Sequence, residues 1–222
     1  MSTMMNVLEP GVGESLPARL PRQVRPPRAV LERFERNDAG RAELEAFIAA
    51  AFLDNYGARI VHFNDTLVGC RDPGGAWTAA LGYSLAGEHP LFLEHYLDAP
   101  VEAEVGARLG RPVARAEIVE VGNLAALHPG AARALIIGTT GLLHGLGLQV
   151  VTFTATTSLL NSFGRLQLRP QVLAPADPAR LPDGGQQWGS YYDTHPQVMF
   201  GDIQYGYSEL ARLATRHHRP AD

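Results

Sequence analysis

Cysteine is nearly absent from this 222-residue chain; Cys70 is the only one. A lone thiol cannot close an internal disulfide, and no His or Cys cluster around it has the spacing of a metal site, so no metal is expected. Charge of one sign is not in excess either. Nineteen Lys and Arg against 23 Asp and Glu leave a net charge of −4, which points away from nucleic acid and from a polybasic membrane contact. Long apolar runs are missing. A membrane helix takes roughly 18 to 20 continuous apolar residues, and the best candidate, Ala131 to Val151, is interrupted by Arg133, His144 and four glycines. No transmembrane segment is expected. Met1 to Pro27 carries five prolines and no apolar run, unlike a secretory signal. Residues 1–28 therefore read as a flexible, Pro-rich leader, and the chain as cytoplasmic.

What is present is a 45% hydrophobic composition, enough for the core of one ordinary domain. Ala42 to Leu53 has apolar residues at helical spacing. Arg59 to Phe63 and Thr66 to Cys70 read as a hairpin around Asn64-Asp65, and Ala76 to Leu85 as a third strand after the turn Arg71-Asp72-Pro73-Gly74-Gly75. Pro90 to Leu97 reads as helical, with Pro90 at its start. Val113 to Leu124 reads as a strand. A helix follows from about Ala131 to Leu146, with Leu135, Ile136, Leu142, Leu143 and Leu146 on one face. Leu148 to Thr154 is continuous enough for a strand buried on both sides. Strand, helix, strand in this order predicts a parallel βαβ pair. Thr156 to Leu166 reads as a short helix, Gln171 to Leu173 as part of a strand, Pro175 to Gly189 as loop and Ser208 to His217 as a surface helix.

Four stretches, in order, resemble the thermostable hemolysin family: LFLEHYL at Leu91 to Leu97 with Pro100-Val101-Glu102; RAEIVEVGNLA at Arg115 to Ala125; TFTATTSLLNSFGRLQL at Thr152 to Leu168; and Leu173 to Ile203, with LAPADPARLPDGG and WGSYYDTHPQVMFGDI. The resemblance as a whole covers about Leu44 to Ile203. The resemblance implies an α/β fold with a GNAT-like mixed sheet, similar to the acyl-homoserine-lactone synthases. It has an antiparallel N-terminal meander, a parallel βαβ pair and helices on both faces. Residues 29–204 would form this acyltransferase domain and 205–222 a C-terminal helix and tail.

Glu120 is the most telling side chain, because it interrupts the apolar strand Ile118-Val119-Glu120-Val121. A buried carboxylate needs a partner or a raised pKa. It is either in an ion pair, with Arg115 or Arg133, or a base that deprotonates an attacking amine. The resemblance favours the base. It also implies a donor site, for acyl-CoA or for the phosphopantetheine of an acyl-carrier protein, with no tightly bound cofactor. Gly130 and Ala132 match the turn that cradles a pyrophosphate at a helix N-terminus, yet Leu127 and Pro129 depart from it, and a Gly there also serves an ordinary turn. A weakened cradle suits an acyl-carrier protein as partner. Arg133 would supplement it or be merely solvated. Asn161 would bind the pantetheine amide or form a cap, in a segment that also places Arg165 at the donor. Phe163 stands where many GNAT enzymes keep an acidic Tyr. Asn123 orients substrate or its own loop. Trp188, Tyr191, Tyr192 and Asp193 form an aromatic and polar cluster. Tyr191 or Tyr192 would supply the missing acid, Trp188 would cover the acceptor and Asp193 would hold it. Glu94 would lie in the half that shapes the acceptor pocket, for a small amine. An arginine is expected after the strand glycine near Gly82, where this chain has Tyr83-Ser84.

The leading expectation is an acyltransferase acting on an acyl thioester and a small amine in biosynthesis. The alternatives are a haemolysin acting directly on membranes and a GNAT-fold binding module that has lost catalysis.

Overall fold

The structure, a computed structural model, describes residues 31–216. The expected leader over residues 1–28 and the tail from His217 lie outside the described residues. One mixed sheet of seven strands organises the rest. Its first half is an antiparallel meander of β1 (Leu31–Phe34), β2 (Thr66–Arg71), β3 (Trp77–Leu85) and β4 (Ile118–Ala126). The turn between β2 and β3 is closed by Asp72, whose Oδ1 accepts from the N–H groups of Gly74 and Ala76, while Gly75 takes the left-handed φ of 88° that the tight reversal demands.

β4 then runs parallel to β5 (Val150–Ala155), joined to it by the crossover helix α3 (Pro129–Gly145). β6 (Gln171–Pro175) and β7 (Gln197–Asp202) finish the sheet antiparallel, in the spatial order β1-β2-β3-β4-β5-β7-β6. α1 (Arg41–Tyr56) and α2 (Val101–Leu109) cover one face. α3 and α5 (Ile203–Arg216) cover the other, and α4 (Thr157–Arg165) follows β5. Leu44, Ile48 and Phe52 of α1 meet Leu67 and Ala80 across one interface, and Leu135 and Leu143 of α3 meet Val68, Leu81 and Val119 across the other. Each of these larger side chains, the leucines, valines, Ile48 and Phe52, contributes about 1.5–3 kcal/mol.

The βαβ pair and the meander are as expected, but several elements differ from the sequence reading. Residues 59–63 do not form a strand; β1 occupies the outer edge of β2 instead. Ile60 and Phe63 satisfy their apolar character by packing against the α1 cluster. Pro90 to Leu97 is a short 3-10 turn over Phe92–Tyr96, and β4 begins only at Ile118, after another at Arg115–Glu117. Leu146 sits at the C-terminal cap of α3 and is 48% exposed rather than on the packed face. The sequence reading contained neither α2 nor β7.

Candidate functional site

β4 and β5 pair only from Ile118↔Val150 to Val121↔Phe153. Beyond that point β4 keeps β3 as its neighbour and β5 keeps β7, so the parallel pair opens. β4 also carries a bulge here: Gly82 faces Gly122, but Ala80 faces Ala125, so two residues of β4, Asn123 and Leu124, oppose Leu81 alone. The bulged residue Asn123 has φ 53°, a left-handed conformation that Asn tolerates better than most residues. The extra residue returns Leu124 and Ala126 to the α3 side and Ala125 to the α1 side. A cavity of about 470 Å³ passes through the opening and is lined from both faces of the sheet.

Glu120 stands at the last paired stretch of β4 and lines this cavity. It is 5% exposed; Oε1 accepts from the Leu93 N–H at 3.2 Å, and Oε2 has no hydrogen-bond partner among the described residues. Burial lifts its pKa to about 8, against the pull of the Phe92 and Leu93 N–H groups, and nearby Glu94 adds to the rise. Neither arginine proposed as its partner reaches it. Arg115 pairs with Glu94 (2.5 Å) and Glu102 (2.7 Å), and among the described residues no ion pair involves Arg133. Glu94 is therefore bound into the scaffold rather than brought to the cavity. Its carboxylate also accepts from the N–H groups of Leu91 (2.6 Å) and Val101 (3.1 Å). Burial would raise Glu94, but Arg115 and these two N–H groups outweigh it and hold the group at about 2.

The segment from Ala58 to Asp65 forms a strap across the bulge. Asn123 Oδ1 accepts from the Asn64 N–H (2.9 Å), and Asn123 Nδ2 donates to the His62 carbonyl (3.1 Å). Arg41, buried at the start of α1, donates to the carbonyls of Asn64 and Asp65. Ser84 Oγ accepts from the Asp65 N–H and from Asn64 Nδ2. The opposed pair Gly82 and Gly122 makes room for the Asn64 side chain; a Cβ on either would come within 2.7 Å of it. So Asn123 orients its own surroundings, one of its two expected roles, while also lining the cavity.

On the α1 side the cavity ends among aromatic rings. Trp188 lies 5.3 Å from Tyr191, 5.8 Å from Phe92 and 6.3 Å from Phe52, and Tyr56 meets Tyr191 edge-on at 5.3 Å. His62 stacks on Phe92 at 5.1 Å, and partial desolvation lowers its pKa. Tyr192 does not line the cavity; its hydroxyl meets that of Tyr96, a lining residue, at 2.6 Å. Burial raises Tyr96, Tyr191 and Tyr192 above the ordinary phenol value. Asp193 is exposed and is not brought to the cavity.

The other end lies between α3, α4 and α5. Ala132, Ile136, Thr139, Ser162 and Phe163 line it, and the Thr139 hydroxyl is buried without a partner. At the N-terminus of α3, His128 Nδ1 accepts from the Ala131 N–H (3.0 Å) and Pro129 has no N–H to offer. The expected anion cradle is thus capped by the chain's own imidazole. Gly130 and Arg133 adjoin the cavity without lining it. Asn161 and Arg165 are exposed on α4 and are not lining residues. Sequence reasoning missed His62, Phe92, Thr139 and Arg169. Phe92 had a signal, an aromatic four residues before Tyr96 in LFLEHYL.

A mixed sheet that splits along its one parallel pair, with a carboxyl at the split and helices on both faces, defines a GNAT-like fold. Solved structures share it. BjaI, a CoA-dependent acyl-homoserine lactone synthase determined with SAM and isopentyl-CoA, is 14% identical with a TM-score of 0.57, over 87% of this chain and 91% of that one. TofI, in a ternary complex with an inhibitor and MTA, is 14% identical with a TM-score of 0.55, over 82% and 96%. FeeM, an N-acyl amino acid synthase from uncultured soil microbes, is 13% identical with a TM-score of 0.53, over 81% and 98%. No curated protein matches the chain. The thermostable hemolysin family model matches residues 34–207, and the chain belongs to that family.

Proposed function

We propose that this chain is an acyltransferase that moves an acyl group from a thioester, on coenzyme A or an acyl-carrier protein, to a small amine. One observation carries the reading: the Glu120 carboxyl is buried in the cavity wall, with no ion-pair partner among the described residues and one oxygen free. The names of BjaI, an acyl-homoserine lactone synthase, and FeeM, an N-acyl amino acid synthase, support the class.

In this reaction the amine nitrogen bonds to the thioester carbonyl carbon, the C–S bond breaks and the sulfur leaves as a thiolate. The nitrogen must lose a proton. A carboxyl with a pKa of about 8 lies below an alkylammonium, about 10, and just below a thiol, about 8.5, so handing its proton to a thiolate is downhill. It can take the proton from nitrogen and pass it to sulfur, directly or through water. Tyr191 and Tyr192 suit the acid role less well. Burial raises both phenols, so giving a proton to a thiolate would be uphill; shaping the cavity is the better use of them. The opening between β4 and β5 would take the pantetheine arm. The self-capped N-terminus of α3 favours a donor that needs no pyrophosphate cradle there, an acyl-carrier protein.

Purified protein incubated with a panel of acyl thioesters and amines is expected to release thiol. Glu120→Gln should lose about 10²–10⁴-fold in kcat with the donor KM little changed. A Gln variant as active as the parent would sink the base role. Lysis of red cells by the pure protein without any acyl donor would favour the membrane-acting alternative instead.

A further inference from the structure

We infer that the amine acceptor has an aromatic body and no carboxylate: an arylalkylamine rather than an amino acid. This rests on the acyl-transfer reading and adds the identity of the second substrate. The cavity on the Glu120 side of the sheet is walled by Phe52, Tyr56, Phe92, Trp188 and Tyr191, with ring centroids 5.3 to 6.3 Å apart. Rings at these separations offer faces and edges to another ring, which prefers offset or edge-on partners at the same distances. They also attract an ammonium over their faces.

The amide side chains at this end each already donate to the chain itself. Asn55 Nδ2 donates to the Ala51 carbonyl, Asn64 Nδ2 to Ser84 and Asn123 Nδ2 to the His62 carbonyl. His62 is exposed, and partial desolvation shifts its pKa downward, away from the cationic form. None of the described lining residues on this side is Lys or Arg; Arg169, the one arginine of the cavity wall, belongs to the segment after α4. A substrate carboxylate here would give up part of its water, meet no Lys or Arg and share the cavity with the Glu120 carboxyl. Burying an unpaired carboxylate is the costliest mismatch such a cavity can present. The amine itself is well served, because Phe92 leads straight to Leu93, whose N–H holds Glu120.

The experiment compares matched pairs: phenethylamine with phenylalanine, and tryptamine with tryptophan, each against one acyl thioester. The decarboxylated amine is expected to show kcat/KM at least about tenfold higher, a difference of about 1.4 kcal/mol. Trp188→Leu, which keeps apolar bulk but removes the ring, should raise the acceptor KM severalfold and leave the donor KM unchanged. Equal or better use of the amino acids would overturn the inference, as would an unchanged acceptor KM in the variant. If no thiol is released with any acceptor, the acyl-transfer reading fails separately. Calorimetric titration then decides the acceptor class: tighter binding of phenethylamine than phenylalanine supports it, and equal binding, the reverse or no binding of either overturns it.

Discussion

On the proposed reading, Glu120 sets stability against chemistry within one side chain. Its carboxyl titrates near 8 in the folded protein and near its ordinary value, about 4.3, in the unfolded chain. Between those values the unfolded chain has ionised while the native protein still holds the proton. The native state therefore binds more protons, and stability falls as pH rises across the window, by up to about 1.4 kcal/mol per pH unit. Below the window this group contributes no slope. Glu120→Gln cannot ionise, so its melting temperature should exceed that of the parent by a margin that widens from pH 5 to pH 8. Thermal melts followed by circular dichroism check this, and a constant or shrinking margin would contradict the burial. Acyl transfer should move the opposite way, rising over the upper part of that interval as the base loses its proton. This residue was legible in the sequence because an acid inside IVEV has no ordinary surface explanation. Glu94 was not: its partners are Arg115, Glu102's shared cation, and two backbone N–H groups, which only the folded turn brings to it.

The bulge in β4 is the element that converts a sheet into a site. Asn123 holds both the left-handed conformation and two hydrogen bonds to the strap. Asn123→Ala loses the bonds and adds conformational strain, at an expected cost of about 2–3 kcal/mol; Asn123→Gly loses only the bonds and should cost about 1 kcal/mol less. Urea unfolding midpoints of the two variants would show that order. Equal stability of both with the parent would mean the strap is fastened elsewhere. Elements with strong local patterns were readable: α1 and α3 from their periodicity, β5 from its continuous apolar run, and the β2–β3 turn from Asp-Pro-Gly-Gly. The failures have physical causes. β1 is a four-residue edge strand, too short for alternation to register. The apolar residues of 59–63 looked like a strand but serve a segment whose backbone is satisfied by side chains, Arg41 and Asn123, from distant positions. β7 is central in the sheet yet follows a long irregular stretch, and its place between β5 and β6 is a tertiary outcome.

At the scale of the whole molecule, the decisive feature is that the two halves of the sheet share only the short parallel ladder from Ile118 to Val121. A donor lodged in the gap would touch both halves and bind the folded state alone. Acyl thioester at about 100 times its Kd should add about 2.7 kcal/mol, or roughly 5–10 °C in melting temperature for a protein of this size. Scanning fluorimetry with acylated and unacylated thiols checks it, and the absence of any shift would argue against a donor site in the gap. The fold class was legible from a meander followed by βαβ; the cavity was not, since nothing in the sequence marks where two strands part company. Among the described residues no helix is long and apolar enough to cross a membrane. The strap has one further consequence. It is tied to the start of α1, to β3 and to the bulge of β4 at once, through Arg41, Ser84 and Asn123. A rim anchored to three separate parts of the scaffold cannot yield at one of them without straining the others. This side of the protein is built as a mould rather than a hinge, and a molecule entering here would have to fit it as it stands.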